Sequence, residues 1–113
     1  MLKEKIEQLV FKQKSKDQLI EDTMASLSGL LADVFTGDDV NHLKKELPQG
    51  IQIEDIGVQL KAVSVYLDGK DLPIPSIEIA IELVQEKAEY EIGVYSLIFD
   101  ENCEQIEEVL NIN

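Results

Sequence analysis

The chain contains no arginine, and among its 113 residues there is one cysteine and one histidine. Each scarcity excludes something. Without arginine there is no planar bidentate donor to recruit phosphate or carboxylate groups. Cys103 alone cannot build a disulfide framework within the chain, which suits a reducing compartment. His42 stands in Asp38-Asp39-Val40-Asn41-His42. No second histidine or cysteine cluster accompanies it, so the donor set of a zinc site is missing. The stretch also lacks the alternating oxygen ligands and closing glutamate of a calcium loop, and it is read as a helix cap. Asp68-Gly69-Lys70-Asp71 is a turn signal and not a glycine-rich phosphate loop. No stretch approaches the ~20 apolar residues of a membrane span. The opening Met1-Leu2-Lys3-Glu4-Lys5 mixes charges and leads into no long apolar region, so no secretory leader is expected. These absences predict a soluble, cytoplasmic chain with no metal and no cofactor.

Carboxylates are plentiful. Ten lysines face 23 acidic residues, for a net charge of -13. That sign argues against nucleic acid and anionic lipid as partners, since both are bound through basic surfaces. The charge is also uneven. Residues 1–50 hold seven lysines and nine acids (net -2), whereas residues 51–113 hold three lysines and fourteen acids (net -11). With 44% hydrophobic and 29% charged residues the composition is globular. The length fits one domain, 1–113, with no linker composition to divide it.

The first half, about 2–47, has helical spacing. Leu2, Ile6, Leu9 and Val10 form one stripe; Leu19, Ile20, Met24, Leu27, Leu31 and Val34 form a second. Ser15, three residues before Gln18, reads as a capping box that opens the second helix. The alternative is one helix running straight through Lys12–Lys16. Gly37 is a C-terminal stop. Asp38 or Asp39 would cap a short third helix through Val40, Leu43 and Leu47, ended by Pro48-Gln49-Gly50.

The second half, about 51–112, alternates with period two at Ile56–Ala62, Ile77–Leu83 and Ile92–Ile98. A four-residue turn at 86–89 would set Leu83 against Ile92 and Ile81 against Val94. A four-residue turn at 68–71 would set Leu83 against Ile56 and Ile81 against Val58. Both pairings place one common apolar set on one face. Pro73 and Pro75 predict an irregular tip for the first hairpin. Residues 104–112 fit a helical turn or a strand. A three-residue loop at 101–103 would set Ile106 against Ile98 and Leu110 against Val94, which favours a fourth strand with Cys103 at the loop's left-handed position. The expected fold is α+β, with two to three N-terminal helices on one face of a four-stranded antiparallel meander.

Candidate chemistry is sparse. Glu101 and Glu104 beside Cys103 disfavour a thiolate. Glu78 and Glu82 share one strand face, but a small open sheet offers no cleft for acid–base catalysis. The expectation is a binding protein and not an enzyme. The registers above put Gln59, Lys61, Val63, Val65, Glu78, Ala80, Glu82, Val84, Glu91, Gly93, Tyr95, Leu97 and Phe99 on the outward face, with Lys61 opposite Glu78. An apolar and aromatic patch rimmed by charge is an interface candidate. The residues selected for partner contact are Glu78, Glu82, Glu91, Tyr95, Leu97, Glu104, Glu107 and Glu108.

In size, acidity and inferred layout, the whole chain resembles the bacterial immunity proteins that neutralise toxin nucleases, including those paired with contact-dependent inhibition toxins. Those families share no motif, so the resemblance transfers no site residue. It implies a cationic protein partner, such as a toxin nuclease domain, whose phosphate-binding site an acidic protein can plug with electrostatically steered association. An acidic decoy for a nucleic-acid-binding protein would use the same physics. The alternative is an oligomerising or adaptor domain that forms a homodimer through the outward sheet face.

Overall fold

The computed structural model describes residues 13–37, 43–68, 70, 72 and 74–113. Among them is one α-helix, α1 (Lys16–Thr36), followed by strands β1 (Ile56–Tyr66), β2 (Ser76–Gln85), β3 (Tyr90–Phe99) and β4 (Gln105–Ile112). The strands form one antiparallel sheet in the order β1-β2-β3-β4, so the fold is α+β with a meander sheet.

The start of α1 is set locally. Ser15 is extended and its Oγ accepts the Gln18 N–H at 3.1 Å, satisfying one of the unpaired first-turn donors. The helix therefore begins at Lys16, and the continuous-helix alternative is corrected. Gly37 closes it at φ 101°, donating its N–H to the Asp33 carbonyl. Leu19, Thr23, Leu27, Leu31 and Val34 are buried. Their spacing turns one stripe toward β2 and β3, over which the helix lies. The stripe Leu2–Val10 and the Asp38–His42 segment lie outside the described residues. Of the third expected helix, the part within the described residues is a 3-10 turn, Leu43–Glu46. Pro48 restricts the backbone of Leu47 and ends the turn on its C-terminal side. Leu47 is still buried in the core.

The sheet departs from the expected registers at three bulges. β1 is also displaced by two residues on β2, with Val58 and not Ile56 opposite Leu83, because the connection between Tyr66 and Ser76 is longer than a four-residue turn. A two-residue displacement keeps the same faces. At the β2–β3 turn, Gln85 faces Tyr90 and Val84 faces Glu91, as expected. An extra residue on β3 then shifts the ladder, so Leu83 faces Gly93, Ile81 faces Tyr95, Ile79 faces Leu97 and Ile77 faces Phe99. A one-residue shift reverses every later side chain of the strand. Ile92 stays inside at the bulge, and Tyr95, Leu97 and Phe99 turn inward with it. On β1 the shift falls between Leu60 and Ala62. Before it, Val58 and Leu60 face Leu83 and Ile81; after it, Val63 and Val65 face Ile79 and Ile77. Residues 104–112 are strand. Phe99 faces Gln105, and after a bulge Tyr95 faces Leu110 and Gly93 faces Ile112. Leu110 and Ile112 pack against the core, whereas Ile106 is exposed.

The hairpin tips also follow from sequence. β1 and β2 run longer than the alternation indicated, and the irregular connection between them carries a cis Ile74–Pro75 bond. In the β3–β4 turn Asp100 Oδ1 accepts the N–H groups of Asn102 and Glu104 at 2.8 and 3.0 Å. Cys103 takes the left-handed position there at φ 61° and is buried.

Candidate functional site

The sheet has two unlike faces. The helix face carries Ile77, Ile79, Ile81, Leu83, Ile92, Tyr95, Leu97 and Phe99, all in the core. The other face is built in rows across the strands. Gln59, Glu82, Val94 and Asn111 form one; Ala62, Ala80, Ser96 and Val109 the next; Ser64, Glu78, Ile98 and Glu107 the third. Small and β-branched residues fill its centre, and carboxylates flank them.

The residues selected from sequence divide accordingly. Glu78, Glu82 and Glu107 lie on the outward rows, and Glu91 stands beside them, opposite Val84. Glu104 is exposed in the β3–β4 turn. Tyr95 and Leu97, expected outside, are 0% and 2% exposed on the helix face. The β3 bulge is the reason, and neither side chain is available for contact. Phe99 follows them inward, and the separate shift on β1 turns the half-buried Val63 and Val65 to the helix face. Glu108 is opposite Leu97, on the helix side of the edge strand β4. There it accepts a hydrogen bond from the Tyr95 hydroxyl, which also bonds Ser26 Oγ at 2.7 Å. Glu108 therefore helps tie β3, β4 and α1 together.

The outward carboxylates are held in defined places. Lys61 does not pair with Glu78. Its ammonium lies 2.7 Å from Glu91 Oε1, and the Asn113 amide donates to Glu91 Oε2 at 2.9 Å. The ammonium chiefly, and then that amide, hold the Glu91 carboxyl down to about 2. The same contact raises Lys61. Glu82 accepts from the Gln59 side-chain amide. Glu78 accepts from the Tyr66 hydroxyl at 2.6 Å, which raises that phenol.

At the end of this face near the β2–β3 turn, the surface forms an open groove of about 560 Å³. Its walls include Gln59, Val84, Glu82, Glu86, Glu89 and Glu91. Four carboxylates thus converge on one concavity. Glu86 and Glu89 were missed from sequence because they read as a solvated turn. Glu89 has φ 55°, and its N–H bonds the Gln85 carbonyl at 2.7 Å. Glu86 folds back over Gly57: a Cβ there would lie 2.7 Å from Glu86 Oε1. The glycine inside an alternating strand was the signal of that close approach.

Among the described residues, no group of three or more His, Cys, Asp or Glu side chains is arranged to hold a metal ion. None of their helices is long and apolar enough to cross a membrane. His42 lies outside them. Compared with protein-family models, with characterised proteins and with solved structures, the chain matches none.

Proposed function

We propose that this chain is a non-catalytic binding protein that meets a cationic surface on another protein, in the manner of an immunity protein occluding the basic active site of a toxin nuclease. The observation that supports this reading is the groove in which Glu82, Glu86, Glu89 and Glu91 converge. A concave acidic surface focuses its field and raises the association rate of a cationic partner. The hydrogen bonds from Gln59 and Lys61 fix two of those carboxylates in advance, which reduces the ordering entropy lost on binding. The same carboxylates oppose self-association through this face, because two copies would bring like charges together.

The test is co-expression with the product of the adjacent reading frame, paired with purified binding measurements. The expected result is that this product is toxic alone and tolerated with the chain. Its association rate should fall as salt rises from about 0.05 M to about 0.5 M. Charge reversal at Glu82, Glu86 and Glu91 together should slow association by at least about tenfold. A neighbouring product that neither binds nor harms the cell, or a rate indifferent to salt and to these reversals, would refute the reading.

A further inference from the structure

The edge of the sheet beside the groove is open in a particular way. β1 is an eleven-residue edge strand, Ile-Gly-Val-Gln-Leu-Lys-Ala-Val-Ser-Val-Tyr, without a carboxylate. The opposite edge strand, β4, carries Glu107 and Glu108 at its middle. Edge strands are normally protected by charge, proline or covering elements. Among the described residues, the free side of β1 has no strand partner. On the helix face of this edge, α1 sits over β2 and β3, and Val58 and Leu60 remain 42% and 44% exposed. On the outward face of the same edge, the Glu86 carboxylate lies over Gly57, and Gln59 opens onto the acidic groove. One stretch of β1 therefore offers unpaired backbone, an apolar stripe on one side and anionic groups on the other.

We propose that Ile56–Leu60 of β1 takes up an extended segment of the partner as a fifth strand. Successive side chains of a strand point to opposite faces. The incoming segment would thus alternate, with apolar residues against Val58 and Leu60 and lysine or arginine toward Glu82 and Glu86. Backbone hydrogen bonds supply the pairing and the alternation supplies the specificity, as in other strand-addition complexes. This rests on the cationic-partner reading above and adds the conformation and pattern of the segment recognised. A second copy of the chain fits this edge less well. It would bring another set of carboxylates to the joint, Glu86 among them, and its strand lysine, Lys61, is already held by Glu91.

The test uses the full-length chain, isotope-labelled, and three synthetic heptapeptides. One is Lys-Val-Lys-Val-Lys-Val-Lys; the second has the same composition with its lysines and valines in two blocks; the third alternates Glu and Val. The alternating lysine peptide should bind about tenfold more tightly than the block peptide. It should also slow hydrogen exchange at alternate amides of residues 56–60. Leu60→Lys and Glu86→Gln should each weaken it, with circular dichroism showing the fold retained. Binding of the lysine peptides without protection of β1, or equal binding of alternating and block peptides, overturns strand addition and leaves the cationic-partner reading standing. Equal binding of the Glu-Val peptide, with β1 protected, upholds strand addition and overturns the cationic preference. Failure of all three peptides to bind overturns the proposal. A dimer of the free chain with β1 amides already protected also overturns it, in favour of a second copy.

Discussion

Replacing Tyr95 by phenylalanine keeps the buried ring and removes only its oxygen. The ring is 0% exposed, and its hydroxyl joins Ser26 of α1 to Glu108 of β4. The phenol has one proton, which goes to the carboxylate, so Ser26 is the donor in the other bond. A neutral hydrogen bond contributes about 1 kcal/mol and one to a charged group about 1.5–3 kcal/mol. Glu108 is exposed and Ser26 half-buried, so water replaces part of both contacts in the variant. The net loss is then about 1–2 kcal/mol, or roughly 4–10 °C in Tm for a chain of this size. Urea denaturation followed by circular dichroism should show the midpoint fall with the slope unchanged. A double-mutant cycle with Ser26→Ala should give a coupling of about 1 kcal/mol. A second signature comes from pH. Burial, and then the Glu108 contact, push the Tyr95 phenol well above its ordinary value of 10.0. Below pH 10 both folded and unfolded phenols are protonated, and the contribution is whole. Above it the unfolded phenol ionises first, so stability falls as pH rises. Tyr66 adds the same trend to both proteins, whereas the Tyr95 component is absent from the variant. The gap between wild type and variant should therefore narrow above pH 10. A stability change below about 0.5 kcal/mol, or a gap constant through pH 11, would refute the reasoning.

Gly93→Ala should destabilise by about 1–3 kcal/mol and speed hydrogen exchange in β4. An added Cβ would lie 2.3 Å from the Asn111 carbonyl oxygen, and backbone must move to admit it. Leu27→Ala, at a position 1% exposed between helix and sheet, should cost about 2–5 kcal/mol by urea denaturation. Lys61→Met should raise the Glu91 titration midpoint from about 2 toward its ordinary 4.5, read by carboxyl-carbon chemical shifts. Because that folded-state value is depressed, the Lys61–Glu91 contribution to stability is present above pH 4.5 and lost as pH falls toward 2, a loss the methionine variant should lack.

Legibility differed between elements for physical reasons. The helix was readable because its signals are local: Ser15 caps it, Gly37 ends it, and the stripe from Leu19 to Val34 has the period of one face. Strand existence and the turn-proximal pairs of β2 and β3 were readable from alternation and turn length. Beyond the bulge they were not, because either register buries an apolar set on β3: Ile92, Val94 and Ile98 in one, Tyr95, Leu97 and Phe99 in the other. Gly93 carried the hint, since an isolated glycine in a strand marks a bulge or a close approach. Of the candidate contact residues, Glu78 and Glu82 were placed outward correctly because β2 keeps a regular alternation, and Glu107 joins them on β4. Glu91 lies beside them at the bulge. Tyr95 and Leu97 followed β3 inward.

By itself the sequence determined the α+β class, the apolar stripe and C-terminal stop of α1 and the concentration of negative charge in the second half, and it favoured a four-strand meander. Each of these depends on composition or on contacts between near neighbours in the chain. The tertiary structure decided which face each strand shows. A single extra residue at Ile92 or Lys61 costs little locally, yet it inverts everything beyond it, and the packing of α1 and β4 against the sheet selects among the outcomes. Only that choice turned Tyr95 from an expected surface anchor into a buried link, and only the folded hairpin shows the turn residues Glu86 and Glu89 lining the acidic groove.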